Sequence, residues 1–155
     1  MSEAEASIHA SAVKVGDFAV LIRGPSGAGK SRLAFDLIVA GLTGAVPRAV
    51  MVGDDRVYLR RVGERILVRP APALAGLIEI RGLGIRRCDF VQHAPVGLVV
   101  DLSAADADRL PAPEALIAHL YGAELPRVPV AAGISPLPLV LAALITTKSS
   151  SSVKD

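Results

Sequence analysis

The octapeptide GPSGAGKS, residues 24–31, constrains the fold of this chain more than any other feature, because it matches the pattern G-x-x-x-x-G-K-[ST] without a gap. A continuous apolar run, residues 18–22, precedes it, and such a short run is typical of a strand buried on both faces. Leu33, Leu37 and Ile38 follow at helical spacing. The pattern therefore predicts a strand, a phosphate-binding loop and a helix; the alternative is a glycine-rich surface turn with an exposed lysine.

Phosphate binding explains the residue types in this octapeptide. Glycines let the backbone curl so that several N–H groups point at phosphate oxygens, and the following helix adds its positive N-terminal end. Lys30 is expected to reach the β- and γ-phosphates, and the Ser31 hydroxyl suits Mg²⁺. The predicted nucleotide-binding residues are Gly24, Pro25, Ser26, Gly27, Ala28, Gly29, Lys30 and Ser31.

The remaining hydrophobic pattern predicts one α/β domain over residues 1–147 and a flexible serine-rich tail over residues 148–155. Strands are expected at residues 49–52, 57–59, 66–68, 97–102 and, weakly, 128–130, with a strand or turn at 77–80. A short helix is expected within residues 113–121 and an apolar helix at 137–146.

Composition excludes several classes of protein. The formal charge of +2 does not fit a histone-like partner of nucleic acid, and 3% aromatic residues leave little for stacking on bases. Cys88 is the single cysteine, so an internal disulfide is impossible. The acidic N-terminus does not resemble a signal peptide, and the apolar stretch 134–145 is too short to span a bilayer. We expect a cytoplasmic protein with no nucleic-acid or membrane partner.

Charged residues follow the predicted strands. Asp54 and Asp55 end the second strand, where one carboxylate can hold Mg²⁺ through water and the other can accept a proton; the alternative is a solvated turn. Glu79 is a lone acid in an apolar segment, and either simple strand alternation or contact with a cation explains it. Arg81 is either a phosphate ligand or a surface residue. His9 alone indicates a surface histidine.

The strands at residues 57–59 and 66–68 flank Gly63 and Glu64 and are predicted to form a hairpin. This hairpin carries five arginines that we interpret mainly as a solvated face, part of which could meet an acidic partner. They are Arg56, Arg60, Arg61, Arg65 and Arg69.

Four segments together resemble the catalytic domain of bacterial HPr kinase/phosphorylase. They are SIHASAVKVGDFAVLIRG from residue 7, the loop GPSGAGKS, VGDDRV at residues 52–57, and EIRGLGI at residues 79–85, the most specific of the four. Their order and approximate spacing fit over roughly residues 7 to 110, and the similarity is weak from residue 111 onward.

This resemblance implies a P-loop kinase core similar to the phosphoenolpyruvate carboxykinase nucleotide domain, with a central mixed sheet and flanking helices. It implies that Asp55 is the catalytic acid/base, that His9 and Lys30 are active-site residues, and that Ser31 and Glu79 are Mg²⁺ ligands. Arg109 resembles a later catalytic arginine. A homo-oligomer, a hexamer in the family, is also implied.

The chain departs from the family pattern in four respects. We expect a short form without the family's usual N-terminal domain, and Arg32 stands where an acidic residue commonly follows GKS. The stretch between the first helix and Asp54 is several residues longer than usual, and residues 129–135 contain no cation where the family has a basic loop.

The functional hypothesis is an ATP- and Mg²⁺-dependent serine kinase that phosphorylates the HPr phosphocarrier of the phosphotransferase system, with phosphorolysis as a further possible activity. The alternatives are a P-loop small-molecule kinase, a non-catalytic nucleotide-sensing regulator, and a simple ATPase that uses Asp55 to orient water.

Overall fold

A mixed β-sheet of nine strands forms the centre of the molecule, in a computed structural model that describes residues 5–149. The predicted tail, residues 148–155, lies almost wholly outside the described residues. The strands are β1 (Ala6–Ile8), β2 (Ala10–Val15), β3 (Phe18–Arg23), β4 (Ala49–Gly53), β5 (Val57–Val62), β6 (Arg65–Pro70), β7 (Leu77–Ile80), β8 (Gly84–Arg87), β9 (Ala94–Leu102), β10 (Ile117–Leu120) and β11 (Ala123–Val130). The helices are α1 (Lys30–Leu42) and α2 (Pro136–Ile145).

The strand order is β1-β5-β6-β9-β3-β2-β4, with β11 beside the end of β9 and β10 beside β11. Strands β3, β9 and β11 run parallel, whereas β2 is antiparallel to both β3 and β4. Strands β7 and β8 form a separate antiparallel pair. The predicted mixed sheet is therefore confirmed.

This topology brings distant segments to one edge of the sheet. Strand β4 runs in the same direction as β3, so both end at the edge where the glycine-rich loop begins. Strand β2 runs the other way and begins at that edge, with Ala10 opposite Arg23 and Ala12 opposite Gly53. His9, which precedes β2, is thereby placed next to the loop.

Aliphatic side chains fill two clusters, one on each face of the sheet. Helices α1 and α2 both contribute to the first cluster, which also holds Ile22 and Val100 from the central strands. Helix α1 buries Leu33, Ala34 and Leu37 at the predicted helical spacing. Burial of this stripe fixes α1 against the sheet immediately after the loop.

The prediction of a helix within residues 113–121 is wrong. After a single 3₁₀ turn, Pro113–Leu116, the chain forms strand β10, which pairs with β11. Ala118 and Leu120 are buried while His119 is exposed, so the segment follows the two-residue period of a strand. The turn at Tyr121 and Gly122, both with positive φ, closes the hairpin. Pairing with the adjacent eight-residue strand β11 accounts for the extended conformation of this segment.

Strands β1 and β2 were also absent from the sequence prediction, because β1 has only three residues and five of the six residues of β2 are buried, so neither shows a clear alternation of polar and apolar residues. Within residues 5–149, neither helix is long and apolar enough to cross a bilayer.

Candidate active site

A cavity of about 1040 Å³ opens beside the glycine-rich loop at the shared edge of the sheet. Most of the predicted site residues line it. The lining residues are His9, Ser11, Gly24, Pro25, Ser26, Gly27, Gly29, Lys30, Ser31, Arg32, Phe35, Asp36, Asp55, Glu79, Ile80 and Arg81.

The loop itself has the conformation that its glycines permit. Gly27 and Gly29 adopt φ values of 82° and 101°, which a residue with a Cβ rarely adopts. The Ala28 N–H donates to Pro25 O at 3.0 Å, so this amide is used inside the loop, and Ala28 does not line the cavity. Lys30 Nζ donates to Gly24 O at 2.8 Å. The lysine thus lies across the loop, with its charge at the place where phosphate oxygens would bind.

Asp54 lies at the centre of a hydrogen-bond network below the loop. Only 3% of this residue is exposed. Its carboxylate accepts from Ser11 Oγ at 2.5 Å, from Ser31 Oγ at 2.8 Å, and from the Glu79 N–H at 3.3 Å. Asp54 therefore links strands β2, β4 and β7 to the first turn of α1. The sequence pattern singled out the Asp54–Asp55 pair but did not identify Asp54 as the residue at the centre of this network.

The side-chain oxygens of Ser31, Asp54 and Glu79 are suitable ligands for Mg²⁺. The Ser31 hydroxyl touches the Asp54 carboxylate, and Glu79 lies beside both through its own backbone. No cluster of three or more acidic, histidine or cysteine side chains arranged for a metal occurs among residues 5–149. Mg²⁺ is commonly held by one or two carboxylates together with substrate phosphates, so a sparse protein ligand set fits this ion.

Asp55 is held apart from Asp54 by a strained backbone. The Arg56 N–H donates to Asp54 O at 2.7 Å, and Asp55 between them has φ 69°, the pattern of a γ-turn with positive φ. Such a conformation costs on the order of 1–3 kcal/mol for a residue with a Cβ. The turn buries one carboxylate and exposes the other: 71% of the Asp55 side chain is accessible, and it lines the cavity.

His9 faces Asp55 across the mouth of the cavity. His9 Nδ1 lies 4.0 Å from Asp55 Oδ1, and an Arg56 Nη2 atom lies 2.9 Å from His9 Nε2. A guanidinium can only donate, so this contact requires a lone pair on Nε2. In a neutral imidazole this contact places the proton on Nδ1, the ring nitrogen that lies 4.0 Å from Asp55 Oδ1. Arg56 also donates to Ser7 Oγ at 2.6 Å, and this second hydrogen bond orients the Arg56 guanidinium.

Arg56 was grouped in sequence with a solvated arginine face, and nothing local to its sequence indicated this contact.

We expect Arg56→Gln to allow both neutral tautomers of His9, because an amide can donate or accept and no longer requires the lone pair on Nε2. The measurement is the pair of ¹⁵N shifts of the His9 ring, which we expect to move from the Nδ1–H pattern toward a mixture. Arg60→Gln, an exposed neighbour on β5, is the control. Unchanged shifts in Arg56→Gln would contradict the assignment.

The other predicted arginines occupy different environments. Arg81 lines the cavity together with Glu79. Arg109 is exposed in the segment between β9 and the 3₁₀ turn and does not line the cavity, so its predicted catalytic role stays a prediction.

A second polar network lies behind the loop. Arg23, the last residue of β3, donates to both oxygens of Asp101, from Nε at 2.7 Å and from Nη2 at 2.8 Å. Arg127 on β11 donates to Asp101 Oδ2 at 2.6 Å. Burial by itself raises the pKa of Asp101, but the hydrogen bonds and charges of Arg23 and Arg127 outweigh it and hold the pKa below its ordinary value. Asp101 is therefore a structural carboxylate.

This lowered pKa predicts a pH-dependent contribution to stability. We expect Asp101→Asn to lower the free energy of unfolding by about 2 kcal/mol at pH 7. The folded-state pKa lies below the unfolded one, so the contribution is complete above about pH 4 and is lost as pH falls through the folded-state value. Urea denaturation of both proteins between pH 7 and 3 measures the difference. A difference that stays constant across this range would contradict the prediction.

The family model described as HPr Serine kinase C-terminal domain matches residues 2–152, so the match extends well beyond residue 110, where the resemblance in sequence weakened. A protein from Mycoplasma mycoides subsp. mycoides SC named HPr kinase/phosphorylase is 39% identical over 103 residues, covering 61% of this chain and 30% of that protein. Its namesake from Exiguobacterium sp. is 34% identical over 112 residues, covering 67% and 34%.

Among solved structures, the HPr(Ser) kinase/phosphatase from Coxiella burnetii superposes with a TM-score of 0.70. The match covers 90% of this chain and 88% of that one at 24% identity, which establishes the shared fold. The chain spans about a third of the length of the curated relatives named above.

Proposed function

This chain belongs to the HPr serine kinase C-terminal domain family, and from that membership we propose that it transfers the γ-phosphoryl group of ATP to a serine of an HPr-type phosphocarrier protein. The observation that carries the proposal is the arrangement of His9 and Asp55 on the cavity that Lys30 and the glycine-rich loop also line. A proton acceptor, a phosphate cradle and oxygen ligands for Mg²⁺ thus share one space.

Nucleotide binding falls to the loop and its lysine. We assign the β- and γ-phosphates to the loop amides and to Lys30 Nζ, which would exchange its contact with Gly24 O for phosphate oxygens. Ser31, Asp54 and Glu79 would hold Mg²⁺, which neutralises charge on the phosphates when bound. Because phosphoryl transfer needs little covalent chemistry from the protein, alignment and charge stabilisation account for catalysis.

Asp55 is assigned to proton transfer. Its carboxylate is exposed in the cavity and takes the proton of the serine hydroxyl as the serine oxygen bonds to the γ-phosphorus and the bond to ADP breaks. We assign His9 a supporting role beside that carboxylate, since its Nδ1 lies 4.0 Å from Asp55 Oδ1. Arg81 lines the same cavity and offsets charge on the transferring group.

Phosphorolysis of phosphoserine, a separate reaction, would use the same groups. When inorganic phosphate attacks phosphoserine, protonated Asp55 returns the proton to the departing serine oxygen, and serine and pyrophosphate result. A hexameric assembly stays a prediction, as does a cytoplasmic location.

Incubation with ATP labelled in the γ-position tests the proposal. Purified HPr and a panel of small hydroxylated metabolites are offered separately, and we expect label on an HPr serine. Label on a metabolite would identify a small-molecule kinase instead, and label released as free phosphate would identify an ATPase. Nucleotide binding with no transfer would leave a nucleotide-sensing regulator.

A further inference from the structure

The phosphate loop begins at a strand end that an ion pair fixes. Arg23 immediately precedes Gly24, and its guanidinium donates two hydrogen bonds to Asp101 near the end of β9. Arg23 and Asp101 are direct neighbours in the parallel pairing of β3 with β9. Two parallel N–H···O bonds hold both groups in one plane, so they fix orientation as well as distance.

The next residue of β9 supports the loop by contact. A Cβ placed on Gly24 would lie 3.0 Å from Leu102 Cβ and 3.3 Å from Leu102 O. The first residue of the loop therefore rests directly on the backbone that follows Asp101. A shift of the end of β9 would be transmitted to the loop, because there is no free space between them.

Arg127 extends this arrangement to the segment of residues 103–116. Its guanidinium donates to Asp101 Oδ2 at 2.6 Å, to Asp106 at 2.8 and 3.2 Å, and to Ala115 O at 2.8 Å. Only 14% of the Arg127 side chain is exposed. One planar group thus joins the end of β9 to both ends of the segment that carries Arg109.

We propose that Arg127 is a positioning residue that couples the phosphate loop to the segment 103–116, so that nucleotide in the loop also orders that segment and Arg109 within it. The inference rests on the proposed function, since it needs nucleotide at the loop. Arg127 contacts neither the cavity nor the loop itself, and it acts through Asp101 and Leu102.

Arg127→Lys is the decisive variant, because it keeps the charge but replaces a planar fork with a single ammonium that cannot reach Asp101, Asp106 and Ala115 O together. Hydrogen exchange is followed by mass spectrometry with and without Mg²⁺ and ATP. In the wild type, we expect nucleotide to slow exchange in residues 24–31 and in 103–116. In Arg127→Lys, we expect the first effect to persist and the second to disappear.

Kinetics provide an independent readout. We expect kcat of Arg127→Lys to fall about 10-fold through misplacement of the segment, while KM for ATP changes less than about 3-fold. Asp106→Ala removes both acceptor oxygens of the half-exposed Asp106, while Arg127 keeps its bonds to Asp101 and Ala115 O, so it should weaken the nucleotide-induced protection of 103–116 and leave that of 24–31 unchanged. This second variant decides the question should Arg127→Lys fail to fold.

Arg69→Lys is the matched control. Arg69 makes a similar two-bond pair with Glu5, at 2.6 Å for each bond, and does not line the cavity beside the loop. We expect it to leave both nucleotide effects intact. Nucleotide protection of 24–31 alone in the wild type, or of both segments in Arg127→Lys, overturns the coupling.

Failure of the proposed function gives a different pattern. If ATP slows exchange nowhere in the wild type, nucleotide binding is refuted, and the comparison without ATP then decides the coupling. Faster exchange in both 24–31 and 103–116 of Arg127→Lys supports a mechanical link, and faster exchange confined to 103–116 overturns it.

Discussion

Asp55→Asn is expected to lower the rate of phosphoryl transfer by about 10³-fold, within the range that general acid–base catalysis contributes. The amide has nearly the same size and cannot take the serine proton. Asparagine also tolerates the positive φ of 69° at this position, so the γ-turn between β4 and β5 is retained. ATP binding should therefore change little, which calorimetry checks alongside the transfer assay.

Asp36→Asn is the control for this variant. Asp36 lines the same cavity but pairs with Arg32 at 3.2 Å on the exposed surface of α1. We expect transfer in Asp36→Asn to stay within a few-fold of the wild type. Near wild-type transfer in Asp55→Asn would refute the role of Asp55 as the proton acceptor.

Asp54→Asn is expected to weaken Mg²⁺-dependent ATP binding by about 100-fold, the upper range for losing a group that holds or orients a metal. The variant loses the negative charge and one of the oxygens that accept from Ser11 and Ser31. Calorimetric titration with ATP in Mg²⁺ and again in EDTA separates the metal-dependent part of the affinity. We expect the two titrations to agree for the variant and to differ strongly for the wild type.

Two further variants locate the source of this effect. Ser11→Ala removes a buried donor to Asp54 but leaves every predicted metal ligand in the chain, so an intermediate loss is expected. Ser31→Ala removes a predicted ligand and should approach the loss of Asp54→Asn. Mg²⁺-dependent affinity that survives in Asp54→Asn would exclude this carboxylate from the metal site.

Local sequence patterns were sufficient to predict the loop, α1 and most strands of the sheet. The glycines at 27 and 29 and the apolar run before them leave few conformations open, and the structure has the strand, loop and helix in that order. The hairpin of β5 and β6 and the helix α2 also follow from short-range signals. The prediction failed in residues 113–121, where β10 pairs with β11, the strand that follows it after a two-residue turn.

Sequence neighbours alone did not distinguish Asp54 from Asp55. Both follow the same strand, and only the turn between β4 and β5 sends one carboxylate into the interior and the other into the cavity. Arg56 and Arg127 likewise have partners 47 and 26 residues away, at His9 and Asp101. Such contacts depend on strand register, which the hydrophobic pattern of one segment does not specify.

The sequence by itself determined that this chain holds a phosphate loop between a buried strand and a helix, because the backbone conformation there depends on residues that are adjacent in the chain. The tertiary structure alone decided which charged groups meet around that loop. The antiparallel course of β2 and the parallel course of β4 and β9 bring residues from four separate segments to one edge, and hydrogen-bond geometry then assigns each charge its partner.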